Sequence, residues 1–223
     1  MSELLIVACT KAKSIEDFET RPLYKSLMHH YEERYDVNFH LFKDNTRGLS
    51  TCYNEILKDP ENIDKVVLFV HDDVELEDAF LVEKLFNSPY SITGLAGAKT
   101  FNTSLDKLAW HLASKREDYV GEVAHSSKGN VWTTCFGPTN SRALTLDGVF
   151  LAVKVRDAVE NELYFDEAFN FHFYDLAFCM RANEKKVTCG VLPIRIVHHG
   201  LGDSMLTKEW EEANIKFKET YCK

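Results

Sequence analysis

His71, Asp72 and Asp73 follow one another directly after the apolar run Val66-Val67-Leu68-Phe69-Val70. Two adjacent carboxylates repel each other unless positive charge sits between or beside them, and a hard divalent cation with oxygen ligands answers that repulsion. A cation held there would also hold phosphates. The competing reading is a helix start, with Asp72 or Asp73 capping a helix foreshadowed by Asp78-Ala79-Phe80-Leu81-Val82. The triplet alone leaves both readings open. A run apolar on both faces reads as a central strand of a parallel sheet, and its carboxyl end is the edge where α/β sheets bind ligands.

Other groups able to do chemistry are scattered along the chain. Cys9-Thr10-Lys11-Ala12-Lys13-Ser14 is a polar loop with two lysines after the first apolar run, Leu4 to Ala8. Lys43-Asp44-Asn45-Thr46-Arg47-Gly48-Leu49-Ser50 is dense in turn formers. Its glycine and hydroxyls at a helix start suit an anionic ligand, and equally suit a plain cap at Ser50. Asp175 opens a helical stretch, where a cap is again the simpler reading, and His198-His199-Gly200 closes the regular part of the chain. Six cysteines without any CxxC pair indicate neither a zinc site nor a disulfide framework; they read as small buried hydrophobes of a reducing compartment. His29 and His30 lie off the Leu23, Leu27, Tyr31 stripe and read as surface or boundary residues.

The elements that must position these groups alternate. A strand at Leu4–Ala8, a helix opened by Thr20-Arg21-Pro22 with Thr20 as cap, a strand at 36–42 and a helix bearing Leu49, Tyr53, Ile56 and Leu57 precede the central strand. A further buried strand spans Ile92 to Ala98, its glycines implying close backbone approach. This β-α-β order is that of a doubly wound parallel sheet. From Lys99 to about Arg142 the rhythm is lost, apart from a short helix expected at Leu105 to Ser114, and the stretch reads as an excursion over one face. Regularity returns with the strand at Asp147–Val153, a helix in the stretch 171–186 with Asp175 at its start, and a last, tryptophan-containing helix with Leu206, Trp210, Ile215 and Phe217. That last helix could pack on the domain or on a second subunit.

Composition narrows the function. The 223 residues are 45% hydrophobic and 27% charged, as in a soluble globular chain, with a formal net charge of −9 that argues against nucleic acid or an anionic membrane. No apolar run nears the roughly 20 residues a membrane span needs. The amino terminus reads as a first strand rather than a signal peptide, so a cytoplasmic location is expected.

The ordered set Asn45, Gly48, Asn54, the strand ending in His71-Asp72-Asp73-Val74, then Asp147-Gly148-Val149-Phe150-Leu151-Ala152, Phe165-Asp166-Glu167-Ala168-Phe169, Tyr174-Asp175 with Arg181, and His198-His199-Gly200 resembles GT-A-fold glycosyltransferases of the family-2 type. It spans roughly residues 3 to 200. The resemblance implies a GT-A-like, Rossmann-like three-layer α/β/α sandwich with a mixed, mostly parallel sheet. It implies one domain: 1–98 for the nucleotide-sugar, 99–200 for the acceptor and 201–223 a terminal helix. The expected activity is transfer of a sugar, with inversion, from a UDP- or GDP-sugar donor to the hydroxyl of a carbohydrate or other acceptor, assisted by Mn²⁺ or Mg²⁺.

Carried over by position, the resemblance makes Asp73 and His198 metal ligands, with His199 the alternative to His198. Asp72 lies near the donor ribose or sugar, Thr10, Asp44 and Asn45 lie near the nucleoside, and Asp175 is the general base. Two positions depart from the pattern. His71 stands where many members carry the first Asp of the metal motif, and Tyr174 where they carry Glu. Arg181 reads as structural, pairing on its own helix. Two other functions compete: a catalytically silent nucleotide-sugar or glycan-binding module, and a sugar nucleotidyltransferase, which would need a glycine that the loop after the first strand lacks. A homo-oligomer is compatible with the sequence.

Overall fold

The computed structural model describes residues 3–34, 36–200 and 207–222. The chain runs β1 (Leu4–Cys9), α1 (Ile15–Phe18), α2 (Pro22–His30), β2 (Val37–Phe42), α3 (Leu49–Lys58), β3 (Val66–Val70), β4 (Val74–Leu76), α4 (Leu81–Phe86), β5 (Ile92–Gly94) and β6 (Ala96–Ala98). It continues with β7 (Tyr119–Ser127), β8 (Asn130–Cys135), β9 (Ser141–Ala143), β10 (Thr145–Leu146), β11 (Phe150–Lys154), α5 (Val155–Glu160), α6 (Tyr174–Glu184), β12 (Cys189–Val191), β13 (Ile196–His198) and α7 (Lys208–Tyr221). The strands form a seven-stranded sheet, β2-β1-β3-β11-β5-β12-β9, and a smaller one, β10-β6-β7-β13-β4, with β8 beside β7.

The larger sheet is parallel only in part. β2, β1 and β3 are parallel, as are β5 and β12, but β11 runs antiparallel to both β3 and β5, and β9 antiparallel to β12. The reason is where β11 begins. Val149 O accepts from His71 N at 3.2 Å, so the chain re-enters the sheet at the edge where β3 leaves it and can only run back. That reversal puts Asp147 and Gly148 beside His71.

Local sequence and tertiary context disagree at several places. The strand expected over Ile92–Ala98 splits at Leu95, with β5 in one sheet and β6 in the other. Close approach at Gly97 and Gly121 permits the split: a Cβ would lie 2.0 Å from Thr145 O at the former and 1.8 Å from Leu95 O at the latter. No helix forms at 105–114. Long-range hydrogen bonds hold that stretch as a loop, including Trp110 Nε1 to Asp147 Oδ2 at 2.8 Å and Asn102 N to Ala113 O at 2.6 Å. Beyond it, β7 and β8 form a hairpin whose turn residues Lys128 and Gly129 both have positive φ (50° and 81°), the requirement of a primed turn that follows strand twist. Thr20 does not cap α2. Arg21 holds that position and Pro22 is the first helical residue. Neither Asp72 nor Asp73 caps a helix, since β4 follows them and Asp78 Oδ1 accepts from Phe80 N at the start of α4. Ser50 Oγ donates to Phe169 O instead of capping α3.

The core beneath the site is aromatic. Tyr53 stacks on Phe69 at 4.2 Å and Phe165 on Phe178 at 3.9 Å, with Tyr174 at the edge of both groups. Each fully buried ring of this kind contributes about 2–3 kcal/mol of transfer free energy. α7 packs on its own domain: Trp210 and Phe217 lie against Phe173, and Asn214 bonds Leu108 N and Asp106 O. Ile215 faces outward, and Leu206 lies outside the described residues. Cys52, Cys179 and Cys189 are buried, whereas Cys135 is exposed. His29 and His30 are exposed. Among the described residues no helix is long and apolar enough to cross a membrane.

Candidate active site

After Val70 the chain leaves the larger sheet and, three residues later, joins the smaller one as β4, so His71-Asp72-Asp73 spans the seam. β13 pairs antiparallel with β4 and sets His198 opposite Val74. His199 N then donates to Asp73 O at 2.9 Å, and Nε2 of His198 comes to 3.5 Å from Asp73 Oδ2. His199 turns away to Glu75, at 3.1 Å. One donor atom each from His71, Asp73 and His198 lies within 4.8 Å of the others. Asp73 Oδ1 is buried without a hydrogen-bond partner, a cost that a cation would remove. Gly200 closes the group: a Cβ there would stand 2.6 Å from His198 Nε2 and 2.7 Å from Asp73 Oδ2. Two imidazoles and a carboxylate fit a divalent cation.

The electrostatics follow from burial and pairing. Burial alone would raise Asp73, but the hydrogen bond from His198 and the charges of both imidazoles outweigh it and hold the carboxyl below its usual range. Burial pulls His198 down while Asp73 pulls it up further, and the net shift is upward. His71 is lowered, because its burial outweighs the upward pull of the neighbouring Asp73 and Asp147 carboxylates.

Asp175 sits at the start of α6, where Phe173 in the left-handed region (φ 65°) turns the chain into the helix. Its Oδ2 accepts from Gly148 N at 2.9 Å and its Oδ1 from Leu176 N at 2.8 Å. Burial first, and the nearby Asp147 charge second, push its pKa up to about 7, against the pull of those backbone donors. A carboxylate poised near neutrality can both take and release a proton. Tyr174 donates to Gly148 O at 2.6 Å and meets His71 Nε2 at 3.2 Å. A Cβ at Gly148 would stand 2.4 Å from the Tyr174 hydroxyl, so only glycine leaves room for this pair of contacts.

Thr10 and Asp72 are together: the hydroxyl donates to Asp72 Oδ2 at 2.5 Å and accepts from Ala12 N, while Arg21 Nε, buried and without a hydrogen bond, lies 3.7 Å from the same carboxylate. Asp44 is exposed beside this loop with φ 44°. Asn45 is buried and commits both ends of its amide to Arg47 of the backbone, so it shapes the loop. Arg181 forms no ion pair among the described residues, on its own helix or elsewhere. Sequence reasoning missed Asp147 as a charge acting on Asp175, and Arg21 as the cation facing Asp72. Asp147 was visible only as part of a strand motif, and no spacing rule links it to Asp175.

His71, Asp73, Asp147, Asp175 and His198 line one cavity of about 380 Å³. A second cavity of about 280 Å³ shares Trp110, Asp147 and His198 with it and extends to His125, Trp132 and Phe136 under the β7–β8 hairpin.

In sequence, residues 21–221 match the model of a family described as "Glycosyltransferase like family". No curated protein matches the chain. Among solved structures, S. aureus TarS 1-349 in complex with UDP is similar with a TM-score of 0.52 and 14% identity, covering 89% of this chain and 60% of that one. A197 from STIV covers 88% and 82% at a TM-score of 0.47 and 14% identity. The chain thus spans about three fifths of the TarS segment, and the likeness is one of fold. With nine tenths of its length matched by the family model and the two-sheet fold to go with it, this chain belongs to the glycosyltransferase-like family.

Proposed function

We propose that the chain transfers a sugar from a nucleoside-diphosphate sugar to an acceptor hydroxyl with inversion at the anomeric carbon. The observation that carries this is the placing of one half-buried carboxylate of near-neutral pKa, Asp175, in the same cavity as His71, Asp73 and His198. A hydroxyl is a poor nucleophile until a positioned base takes its proton. Asp175 takes that proton as the hydroxyl oxygen attacks the anomeric carbon; the bond to the phosphate oxygen breaks, and its electron pair leaves with the nucleoside diphosphate. A single displacement inverts the centre. A double displacement would need a second nucleophile; the other carboxylate of the cavity outside the cation group, Asp147, is instead engaged at both oxygens by Trp110 Nε1 and Val149 N.

Mn²⁺ or Mg²⁺ held by Asp73 and His198 would offset the charge that grows on the departing diphosphate. Thr10, Asp72 and Arg21 bound the donor side, and Asp44 lies exposed beside them for the nucleoside. The UDP bound to the similarly folded TarS supports a nucleotide donor. The acceptor enters under the β7–β8 hairpin, within the 99–200 half, and 1–223 acts as one domain.

Release of nucleoside diphosphate from UDP- and GDP-sugars, with and without Mn²⁺, tests the proposal. The expected result is turnover with one donor class that falls by 10²-fold or more in Asp175→Asn while nucleotide affinity is kept. Nucleotide binding without turnover in the wild type would make the chain a nucleotide-sugar-binding module instead.

A further inference from the structure

We propose that His71 is a third protein ligand of the cation, so that the site selects a first-row transition ion over Mg²⁺; this rests on reading the cavity as a cation-assisted donor site. The argument begins with the hydroxyl of Tyr174, which has one proton to give. It gives that proton to Gly148 O at 2.6 Å, so at its 3.2 Å contact with His71 Nε2 the phenol oxygen accepts. His71 therefore carries its hydrogen on Nε2, and the other ring nitrogen keeps the lone pair that a cation needs. Fixing a tautomer through the second ring nitrogen is how proteins orient ligating histidines.

The remaining observations agree. His71, Asp73 and His198 offer donors within 4.8 Å of one another, and Asp73 Oδ1 is buried with no partner. Phe171 stacks on the His71 ring, 6.2 Å between centroids and 23° between planes, which limits its rotation. The packing at Gly200 leaves no space for a side chain beside His198 and Asp73. Magnesium prefers an oxygen shell and sheds water reluctantly, whereas imidazole suits transition ions, whose affinities rise from Mn²⁺ to Co²⁺. Two imidazoles to one carboxylate tip the balance away from Mg²⁺.

Calorimetric titration of the full chain, free of nucleotide, with Mn²⁺, Co²⁺ and Mg²⁺ tests this directly. Co²⁺ and Mn²⁺ should bind at least tenfold tighter than Mg²⁺. His71→Ala should lose about tenfold or more for the transition ions and little for Mg²⁺, and Tyr174→Phe should lose several-fold. His71→Gln, closer in size, gives the same comparison if the alanine variant does not fold. Equal affinity for the three ions, no ion binding, or unchanged Mn²⁺ and Co²⁺ binding in folded His71 variants overturns the proposal. UDP and GDP titrations on the same samples separate the two readings. A protein that takes nucleotide without ion preference keeps the transferase reading and loses this one. A protein that prefers transition ions through His71 but takes no nucleotide keeps this site and loses the transferase reading.

Discussion

His71 and Tyr174 are in contact, Nε2 to hydroxyl at 3.2 Å, although 103 residues separate them in sequence. They are also the two motif positions at which this chain departs from the pattern it otherwise resembles. Departures that touch are coupled through one network, in which Gly148 O is the third member. Such a network yields interaction energies rather than additive losses. In urea denaturation, Tyr174→Phe is expected to cost about 1–2 kcal/mol, because it strands a buried carbonyl. The His71→Ala, Tyr174→Phe cycle should show a coupling above about 0.5 kcal/mol. Strict additivity would mean the contact is incidental.

The near-neutral Asp175 sets the pH dependence of turnover. The base must be ionised to accept a proton, so kcat/KM should rise with pH and level off above an apparent pKa of about 7. Asp175→Asn removes this limb along with most of the rate. A rate already flat from pH 5 to 8 in the wild type would assign the base to another group.

The same carboxyl links folding to pH. Its folded pKa lies above the ordinary value near 4, so the folded state binds the extra proton between about pH 4 and 7. Its contribution is fully present below pH 4 and is lost as pH rises through 7. Asp175→Asn keeps an acceptor for Gly148 N but carries no charge to bury. The variant should be more stable than wild type at pH 8, by on the order of 2 kcal/mol, and no more stable at pH 4. Thermal unfolding at the two pH values decides it, and an equal effect at both would remove the linkage.

Gly200 offers a probe of the cation group that deletes no donor. A methyl there would press on His198 Nε2 and Asp73 Oδ2 at once. Gly200→Ala is expected to weaken Mn²⁺ binding tenfold or more, by displacing ligands rather than deleting them. Unchanged Mn²⁺ affinity would show that the ion sits elsewhere.

How much of this was legible in the chain depends on the range of the signal. Val66–Val70, buried at every position, announces a central strand and so places the acidic residues at its carboxyl edge. Asp175 at a helix start is equally local. The direction of β11 was not legible, because it is set by where Val149 meets His71, a contact between residues 78 apart in sequence. The Asp147 charge on Asp175 follows from that reversal. The loop at 105–114 has helical spacing, yet Trp110 bonds Asp147 and Ala113 bonds Asn102, both partners outside it, and those bonds prevail over propensity. The hairpin did carry local signals, alternation from Tyr119 and a Lys128-Gly129 turn, obscured by the polar residues around them.

Trp132 provides the means to find the acceptor. It is 44% exposed, stacks on His125 with centroids 5.7 Å apart, and lines the smaller cavity beside Asp147 and His198. A large apolar ring left open to solvent beside a polar cavity is the surface on which the C–H face of a sugar packs, with neighbouring polar groups left to bond its hydroxyls. On the transferase reading, Trp132→Ala should raise the acceptor KM about tenfold or more, while donor KM and nucleotide affinity stay within twofold. Trp132→Phe should recover much of the loss, since it keeps a flat apolar face. Initial rates over a grid of donor and acceptor concentrations resolve the two KM values. A change confined to donor KM would place the donor, not the acceptor, under the hairpin.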